Sequence, residues 1–550
     1  MASHVSLFSR ITTSHVVLGL IVLPFLVFGS FIGNPFVSLD DNYLIYANLA
    51  VQTFSLKNIL HVFTSYDPQL YIPLTFLSWQ LNAALFGMNP AAFHLVNLLL
   101  HCANAVLVFL ILRKLSGSLF VSALAAMLFA IHPIQTEAVL WAASRKDLLS
   151  GLFFLLSAHA YLRYREYDVR RNLLWSIVFY GLGLLSKVSV ITLPVWLLGI
   201  DWLQKRPFDR LRAPRILLEK LPYVVLAVVF GIIAVIGKTR VLGSSGTLLN
   251  ILLPVKSVVF YVQKFLWPSG LSVIYPYTGQ VHGLFVDFAW SLSVILALLL
   301  IGLICFRGRN RLVTFGITTY FLLLAPSFTT FWKNGFLYFA SDRYVYLASI
   351  GFFVVIAFLL DRVKMLRGCS VIVIASLIPV SWAQGSVWSS TEALYRNVLR
   401  TYPDSVMAQT NLGLELQLQG NLKEAREHYA LAIALDPHSV HAYFDLAALE
   451  NKEGHPAEAE KLYVDIVDAF GPQQVATASD IKPFLWLIKR LNDLARPADA
   501  ERLFDKLNAL APAQLQEAVQ LQKEIDAHAA LTSSFTIHHS SQTPSLPSSS

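Results

Sequence analysis

Charge is scarce in this chain. Of its 550 residues, 14% are Asp, Glu, Lys or Arg, 55% are hydrophobic and 13% are aromatic. A soluble protein of this size needs far more charged surface, so a soluble enzyme is excluded. Cysteine is nearly absent: Cys102, Cys305 and Cys369 lie in or beside apolar runs with no CxxC spacing, which excludes a disulfide framework and a structural zinc site. No P-loop and no Gly-rich dinucleotide fingerprint occurs, so nothing points to a nucleotide-powered step. The formal net charge of +8 does not indicate a nucleic-acid partner. Its basic residues sit in short loops between apolar runs, the pattern of membrane topology.

Long apolar runs are what the sequence has. A helix needs about 20 apolar residues to cross a ~30 Å hydrocarbon core. About eleven segments read as spans on that criterion, roughly 15–32, 91–112, 118–134, 148–162, 172–186, 188–203, 222–237, 286–306, 312–326, 345–361 and 370–385. The first runs into an acidic segment with no small-residue cleavage site before it, and reads as a retained span. Between Gly33 and Pro90, three amphipathic, aromatic stretches predict helices lying in the membrane interface: Tyr43 to Phe54, Leu56 to Phe63 and Leu70 to Phe86. Lys256 and Lys264 interrupt the run from Leu252 to Pro268, which reads as interfacial or re-entrant.

Past Trp388 the pattern becomes that of a soluble helical segment. Leu412, Gly420, Ala425 and Tyr429 recur as Leu446, Gly454, Ala459 and Tyr463, a period of about 34 residues that marks the tetratricopeptide repeat. Small residues let two antiparallel helices close up, and the aromatic fills the gap between neighbours. Tyr395 and Pro403 match Tyr429 and Pro437, so a half repeat leads out of the last span. Ala500 and Phe504 mark a degenerate repeat, and a helix near Leu515 to Ala529 caps the stack. From Thr532 the chain is rich in Ser, His and Pro and reads as disordered. The expected fold is all-α: a polytopic membrane bundle over 1–388, an α-solenoid over 389–530 and a tail over 531–550.

Charge divides the loops into two classes. Arg113-Lys114, Arg163 to Arg171, Lys205 to Lys220, Arg307 to Arg311 and Arg362 to Arg367 are basic and predict the cytoplasmic side. The alternate loops hold Asp40, Asp41, Glu137, Asp147 and Asp342. With an odd number of spans and a cytoplasmic N-terminus, these acids and the repeats lie outside the cytoplasm. Few repeats and no retention signal point to a bacterial inner membrane, with the repeats periplasmic.

Two adjacent carboxylates at a membrane edge, Asp40 and Asp41, must be solvated, paired or neutralised. Either they do chemistry or one caps the helix starting near Tyr43. Three more polar clusters share their side: His132 to Glu137, Ser144 to Asp147, and Ser341 to Tyr346. Each alone could finish a helix, cap one or belong to an interfacial belt. Together they suit a reaction on a lipid-linked phosphate, in which an Arg or Lys, with Arg145 and Lys187 as candidates, holds the phosphate and a carboxylate takes a proton from an attacking hydroxyl. Lys187 could equally snorkel to the interface. Paired carboxylates could hold a divalent metal, but no ligand spacing assigns metal residues and no cofactor is implied with certainty. His94, His101 and Asn104 read as hydrogen-bonding between helices.

Several motifs occur in register: Phe36 to Asp41, Tyr71-Ile72-Pro73-Leu74-Thr75-Phe76-Leu77-Ser78, Asn82 to Pro90, Phe93-His94-Leu95-Val96-Asn97, Ala130 to Val139, and Asp342-Arg343-Tyr344-Val345-Tyr346-Leu347. In these, nearly the whole chain resembles the transmembrane-and-TPR O-mannosyltransferase family. Ile72 stands where that family often has Arg, and Val188 where a Glu commonly follows the Lys. The resemblance implies a glycosyltransferase fold of the GT-C class and a polyprenyl-phosphate-linked sugar as donor. It makes Asp40 or Asp41 the catalytic base, Glu137 a second acid, Arg343 a phosphate contact, and His132, Asp342 and Tyr71 further site candidates.

The function expected is an integral membrane glycosyltransferase that moves a mannose-like sugar from its lipid carrier to a protein or peptide acceptor held by the repeats. The carrier and the surrounding lipid are its membrane partners. The rivals are a membrane-anchored repeat scaffold without activity and a transporter of the lipid-linked sugar. Transporters usually place charges at mid-membrane, whereas here the acids lie at span ends.

Overall fold

The structure is a computed structural model that describes residues 12–520 except 67–69, 207–212, 239–246, 278–283, 309, 331, 334–335, 364–365, 472–477 and 517. The tail from Thr532, and all but the first few residues of the expected capping helix, lie outside the described residues. Two compact units divide the chain: residues 1–239 with 244–408, and a second that begins at Gln409 apart from the short stretch 240–243.

The first unit opens with α1 (Thr13–Phe28), started by Thr12, whose hydroxyl accepts from the His15 N–H. The loop helices are α2 (Leu49–Gln52), α3 (Leu56–Thr64) and α4 (Pro73–Phe86). Leu49, Leu56 and Leu60 are exposed on them, and Phe54 between α2 and α3, as expected of helices whose apolar face meets lipid. The bundle continues through α5 (Pro90–Ser116), α6 (Leu119–Ile131), α7 (Thr136–Leu140), α8 (Arg145–Tyr167), α9 (Arg170–Ser186), α10 (Leu193–Leu203), α11 (Ala213–Lys238), α12 (Thr247–Leu266), α13 (Leu284–Arg307), α14 (Arg311–Leu324), α15 (Ser349–Arg362) and α16 (Leu366–Ser386).

Every segment read as a span is therefore helical. Among the described residues, six helices are long and apolar enough to cross a membrane, and α6 with α7, bent by 52° at His132, makes a seventh if counted as one span. The chain is an integral, multi-pass membrane protein. The others are shorter or carry charge at their ends, as α8 does with Arg145, Lys146 and Asp147 at one end and Arg163, Arg165 and Glu166 at the other. The stretch expected to be re-entrant is a continuous helix, α12. Its two lysines are accommodated by rings: the Lys256 ammonium lies 4.8 Å from the Phe339 centroid and that of Lys264 lies 5.1 Å from Phe260.

Packing is close where α14 meets α15. A Cβ on Gly316 would sit 2.7 Å from the Gly351 carbonyl oxygen, and one on Gly351 would meet the Gly316 carbonyl and lie 2.6 Å from the Tyr320 nitrogen. Small residues let two membrane helices approach this closely. Within the bundle, His101 bonds Tyr346 Oη and the Ala130 carbonyl, each at 2.9 Å, while Asn104 donates to Tyr346 Oη and the Leu148 carbonyl.

Two details were not visible in the apolar pattern. A small antiparallel sheet, in the order β1-β3-β2, forms from β1 (Tyr275–Pro276), β2 (Trp332–Lys333) and β3 (Phe336–Ala340); β3 delivers the chain to Ser341. And α17 (Thr391–Thr401), read from sequence as a half repeat, packs in the first unit. Thr391 accepts from the Ser38 N–H, Tyr395 donates to the Ser38 carbonyl and Asn397 to the Leu271 carbonyl, each at 3.0 Å.

The second unit, together with the first turn of its leading helix, is built from the pairs α18 (Val406–Leu418) with α19 (Leu422–Leu435), α20 (Val440–Lys452) with α21 (Pro456–Ala469), and α22 (Ala478–Asp493) with α23 (Pro497–Leu510). Gly420 and Gly454 turn the first two pairs at the same φ of +87°, a conformation glycine adopts without penalty. Gly413 admits the Tyr429 ring where a Cβ would lie 2.7 Å from it. A glycine at this position thus makes room for the aromatic ring between the two helices of the pair.

Candidate active site

Asp40 and Asp41 are neighbours with opposite environments. Asp41 is fully buried. One of its oxygens accepts from the Val37 N–H at 3.1 Å and the other from the Ala143 N–H at 2.9 Å. It thereby pins the first loop to the turn before α8, and it makes no capping bond to the five-residue turn Asn42–Tyr46 that follows it. Burial pushes its carboxyl up to about 7, and the two backbone N–H groups oppose that rise. Asp40 is 26% exposed. It accepts from the Tyr43 hydroxyl at 2.7 Å and stands 3.8 Å from the Lys146 ammonium.

The turn pinned by Asp41 continues directly into α8, where successive side chains diverge by about 100°. Arg145 therefore points inward, to Asn97 Oδ1, Asn82 Oδ1 and the Phe93 carbonyl, each at 2.9 Å. Lys146 points to Asp40 and lies 5.0 Å from the Trp141 ring centroid. Asp147 pairs with Lys187, which stands at the junction after α9.

From β3, Ser341 and Arg343 both reach Glu137 on α7, the serine hydroxyl at 3.1 Å and the guanidinium in a closer ion pair. Arg343 lies 4.8 Å from the Trp141 centroid and 5.0 Å from that of Tyr344, and the Lys187 ammonium is 5.9 Å from Tyr344. Three cations from three parts of the chain thus converge around two rings. Lys146 faces Asp40, Arg343 faces Glu137 and Lys187 faces Asp147. The Lys146–Asp40 pair is the longest of the three and includes the most exposed carboxylate.

The remaining sequence candidates have other partners. Arg145 is committed to its amides. His132 closes the bend between α6 and α7, bonding the Phe265 carbonyl at 3.1 Å and accepting from the Ile134 N–H. Tyr71 donates to the Phe63 carbonyl at 3.1 Å, joining α3 to α4. Asp342 accepts from the Tyr275 hydroxyl at 2.8 Å; burial, and then the charge of Glu137, push its carboxyl well up. Sequence reasoning did not select Lys146, Tyr43, Trp141 or Tyr344. Lys146 and Tyr344 stand inside runs already marked as polar clusters, whereas Trp141 and Tyr43 gave no signal beyond being aromatic.

Residues 70–237 match the family described as dolichyl-phosphate-mannose-protein mannosyltransferase. The chain is 28% identical over 429 residues to protein O-mannosyl-transferase TMTC4 of Mus musculus, covering 65% of this chain and 57% of that protein. It is 27% identical to human TMTC1, covering 69% and 49%, and 42% identical over 123 residues to Drosophila melanogaster Tmtc1, covering 22% and 14%. The chain spans about half the length of the longer-matching relatives. The solved structure of ArnT from Cupriavidus metallidurans bound to undecaprenyl phosphate aligns with 84% of this chain and 82% of its own at 16% identity, with a TM-score of 0.35, a likeness from which nothing is argued. The resemblance carried by the motifs is thus shown: over about two thirds of its length this chain is related to the protein O-mannosyl-transferases, and its residues 70–237 match the dolichyl-phosphate-mannose-protein mannosyltransferase family.

Proposed function

We propose that this protein is a glycosyltransferase that moves a mannose-like sugar from a polyprenyl-phosphate carrier to a hydroxyl of a protein acceptor, on the extracytoplasmic side of its membrane. The observation that carries this reading is Asp40: a half-open carboxylate, oriented by Tyr43, beside a lysine in a cluster of three cations. Asp40 takes the proton of the acceptor hydroxyl as the new glycosidic C–O bond forms. The bond from the anomeric carbon to the phosphate oxygen breaks, and the polyprenyl phosphate leaves with its electron pair. Lys146 meets that phosphate first, because its pairing with Asp40 is loose, and Arg343 and Lys187, both near Tyr344, add charge. Charge-assisted hydrogen bonds of this kind grow stronger as the leaving group gains charge, which is where they accelerate transfer. The helix pairs of the second unit hold the acceptor, since stacked repeats offer surfaces suited to extended partners.

The relatives and the matched family support the sugar and the acceptor class; the cation cluster supports a lipid-linked phosphate. Incubating the purified protein with a panel of polyprenyl-phosphate sugars tests the reading. Turnover of a mannose-bearing donor is the expected result, and a folded preparation that turns over none of them contradicts it.

A further inference from the structure

At the other end of α8, roughly 22–29 Å from Lys146 at 1.5 Å rise per residue, a second set of charges surrounds Asp201 near the end of α10. Tyr161 donates to its carboxylate, and Lys220, Arg165 and Arg206 approach it at 2.9, 3.1 and 3.3 Å. Arg206 also pairs with Glu219 at 2.7 Å. This network pairs both of its carboxylates and keeps a positive charge in excess, with three cations around Asp201 and Glu219. Against it opens a cavity of about 470 Å³, lined by Leu198, Trp202, Ile216 and Leu217, by Asp201 and Arg206 of the network itself, and by the further cations Lys205 and Arg311.

Lys205 and Arg311 stand outside the ion pairs of the network. Arg311 donates to the Trp202 carbonyl at 2.9 Å and lies 5.4 Å from its ring, and Trp202 in turn stacks on Phe306. Among the described residues Lys205 has no acidic partner. Its backbone is unusual. The Lys205 N–H bonds the Trp202 carbonyl and the Arg206 N–H bonds the Asp201 carbonyl, with Lys205 at a φ of +57°. That is the helix ending in which glycine is the usual residue, because a side chain there strains the chain. Here a lysine occupies it, and that lysine is part of the cavity lining.

We propose that this cavity binds an anionic phospholipid, its phosphate between Lys205 and Arg311 and its first acyl carbons along Leu198, Ile216 and Leu217. An inorganic phosphate would answer the cations but leave those walls uncovered. The position fits a lipid: the loops that flank it are the basic ones, and the neighbouring faces of α11 and α13 expose Leu218, Leu221 and Phe306. Clusters of Lys and Arg at the ends of spans attract anionic lipid headgroups in this way.

Native mass spectrometry of the full-length protein, titrated in neutral detergent with phosphatidylglycerol or phosphatidylcholine, tests the assignment. The variant is Lys205→Gly, which removes the ammonium and relieves the strain, so it keeps the helix ending. Wild type retains phosphatidylglycerol over phosphatidylcholine, and the variant retains phosphatidylglycerol about fivefold more weakly, the factor one Lys near an anionic lipid surface contributes. Equal retention of both lipids by the wild type, or unchanged retention by the variant, overturns the site. Displacement of phosphatidylglycerol by millimolar inorganic phosphate overturns the lipid as its occupant.

Discussion

The Lys146 ammonium stands 3.8 Å from Asp40 Oδ2 and 5.0 Å from the centre of the Trp141 ring. A lysine held against a ring and only loosely paired is free to turn to an incoming phosphate without leaving its place. Lys146→Ala is expected to raise the donor KM by about 10–100-fold, the loss of one charge-assisted hydrogen bond, with a smaller fall in kcat. Steady-state kinetics at varied donor concentration measure it. A wild-type KM in this variant would remove Lys146 from the phosphate site.

Arg145, one residue earlier, has the opposite expectation. It is fully buried and its partners are uncharged amides and a carbonyl. Arg145→Ala leaves Asn97, Asn82 and Phe93 with unsatisfied acceptors, at a cost of about 3 kcal/mol or more. Thermal unfolding in detergent should show a clear drop in Tm, and the fraction that stays folded should keep the wild-type donor KM. An altered donor KM with unchanged Tm would place Arg145 in the site after all.

The α14–α15 crossing depends on two glycines. Gly351→Ala drives a methyl group into the Gly316 carbonyl and the Tyr320 backbone, an overpacking that costs about 1–3 kcal/mol. The Tm should fall. Gly368→Ala, where a Cβ meets nothing within 4 Å, serves as the comparison and should leave Tm unchanged.

Asp41 makes stability depend on pH. Its carboxyl sits near 7 in the folded protein against an ordinary value of 3.8, because burial disfavours its charge. Between those two values the folded state keeps a proton that the unfolded chain releases, so this contribution to stability falls as pH rises from about 4 to about 7 and is level above. Tm followed from pH 5 to pH 8 should decline more steeply in the wild type than in Asp41→Asn. Parallel traces would show that Asp41 does not titrate in this window.

The bundle was legible in the sequence because apolar runs of span length and 34-residue periodicity are one-dimensional signals. That Asp40, Glu137 and Asp147 belong to one cluster was legible too, from the alternation of loop charge. What decides between Asp40 and Asp41 is not local. Asp41 is buried by an N–H from Ala143, about a hundred residues away, and only the folded turn brings that donor into reach. The same holds for Arg145 and Lys146: both are cations in one polar run, and the phase with which α8 begins sends one to the amides and the other to Asp40. The half repeat at Tyr395 has the right residues, yet its hydrogen bonds go to Ser38 of the first loop. Local pattern identifies such a helix but not its partner.

Donor turnover by Asp40→Asn, set beside Asp41→Asn, tests the central claim most directly. Asp40→Asn should fold as the wild type does and lose about 10²–10⁴-fold in kcat, the usual contribution of a positioned base. Asp41→Asn should lower Tm, because an amide offers one acceptor where two N–H groups converge, and should retain activity in the fraction that folds. A folded Asp40→Asn protein with wild-type turnover would contradict the account.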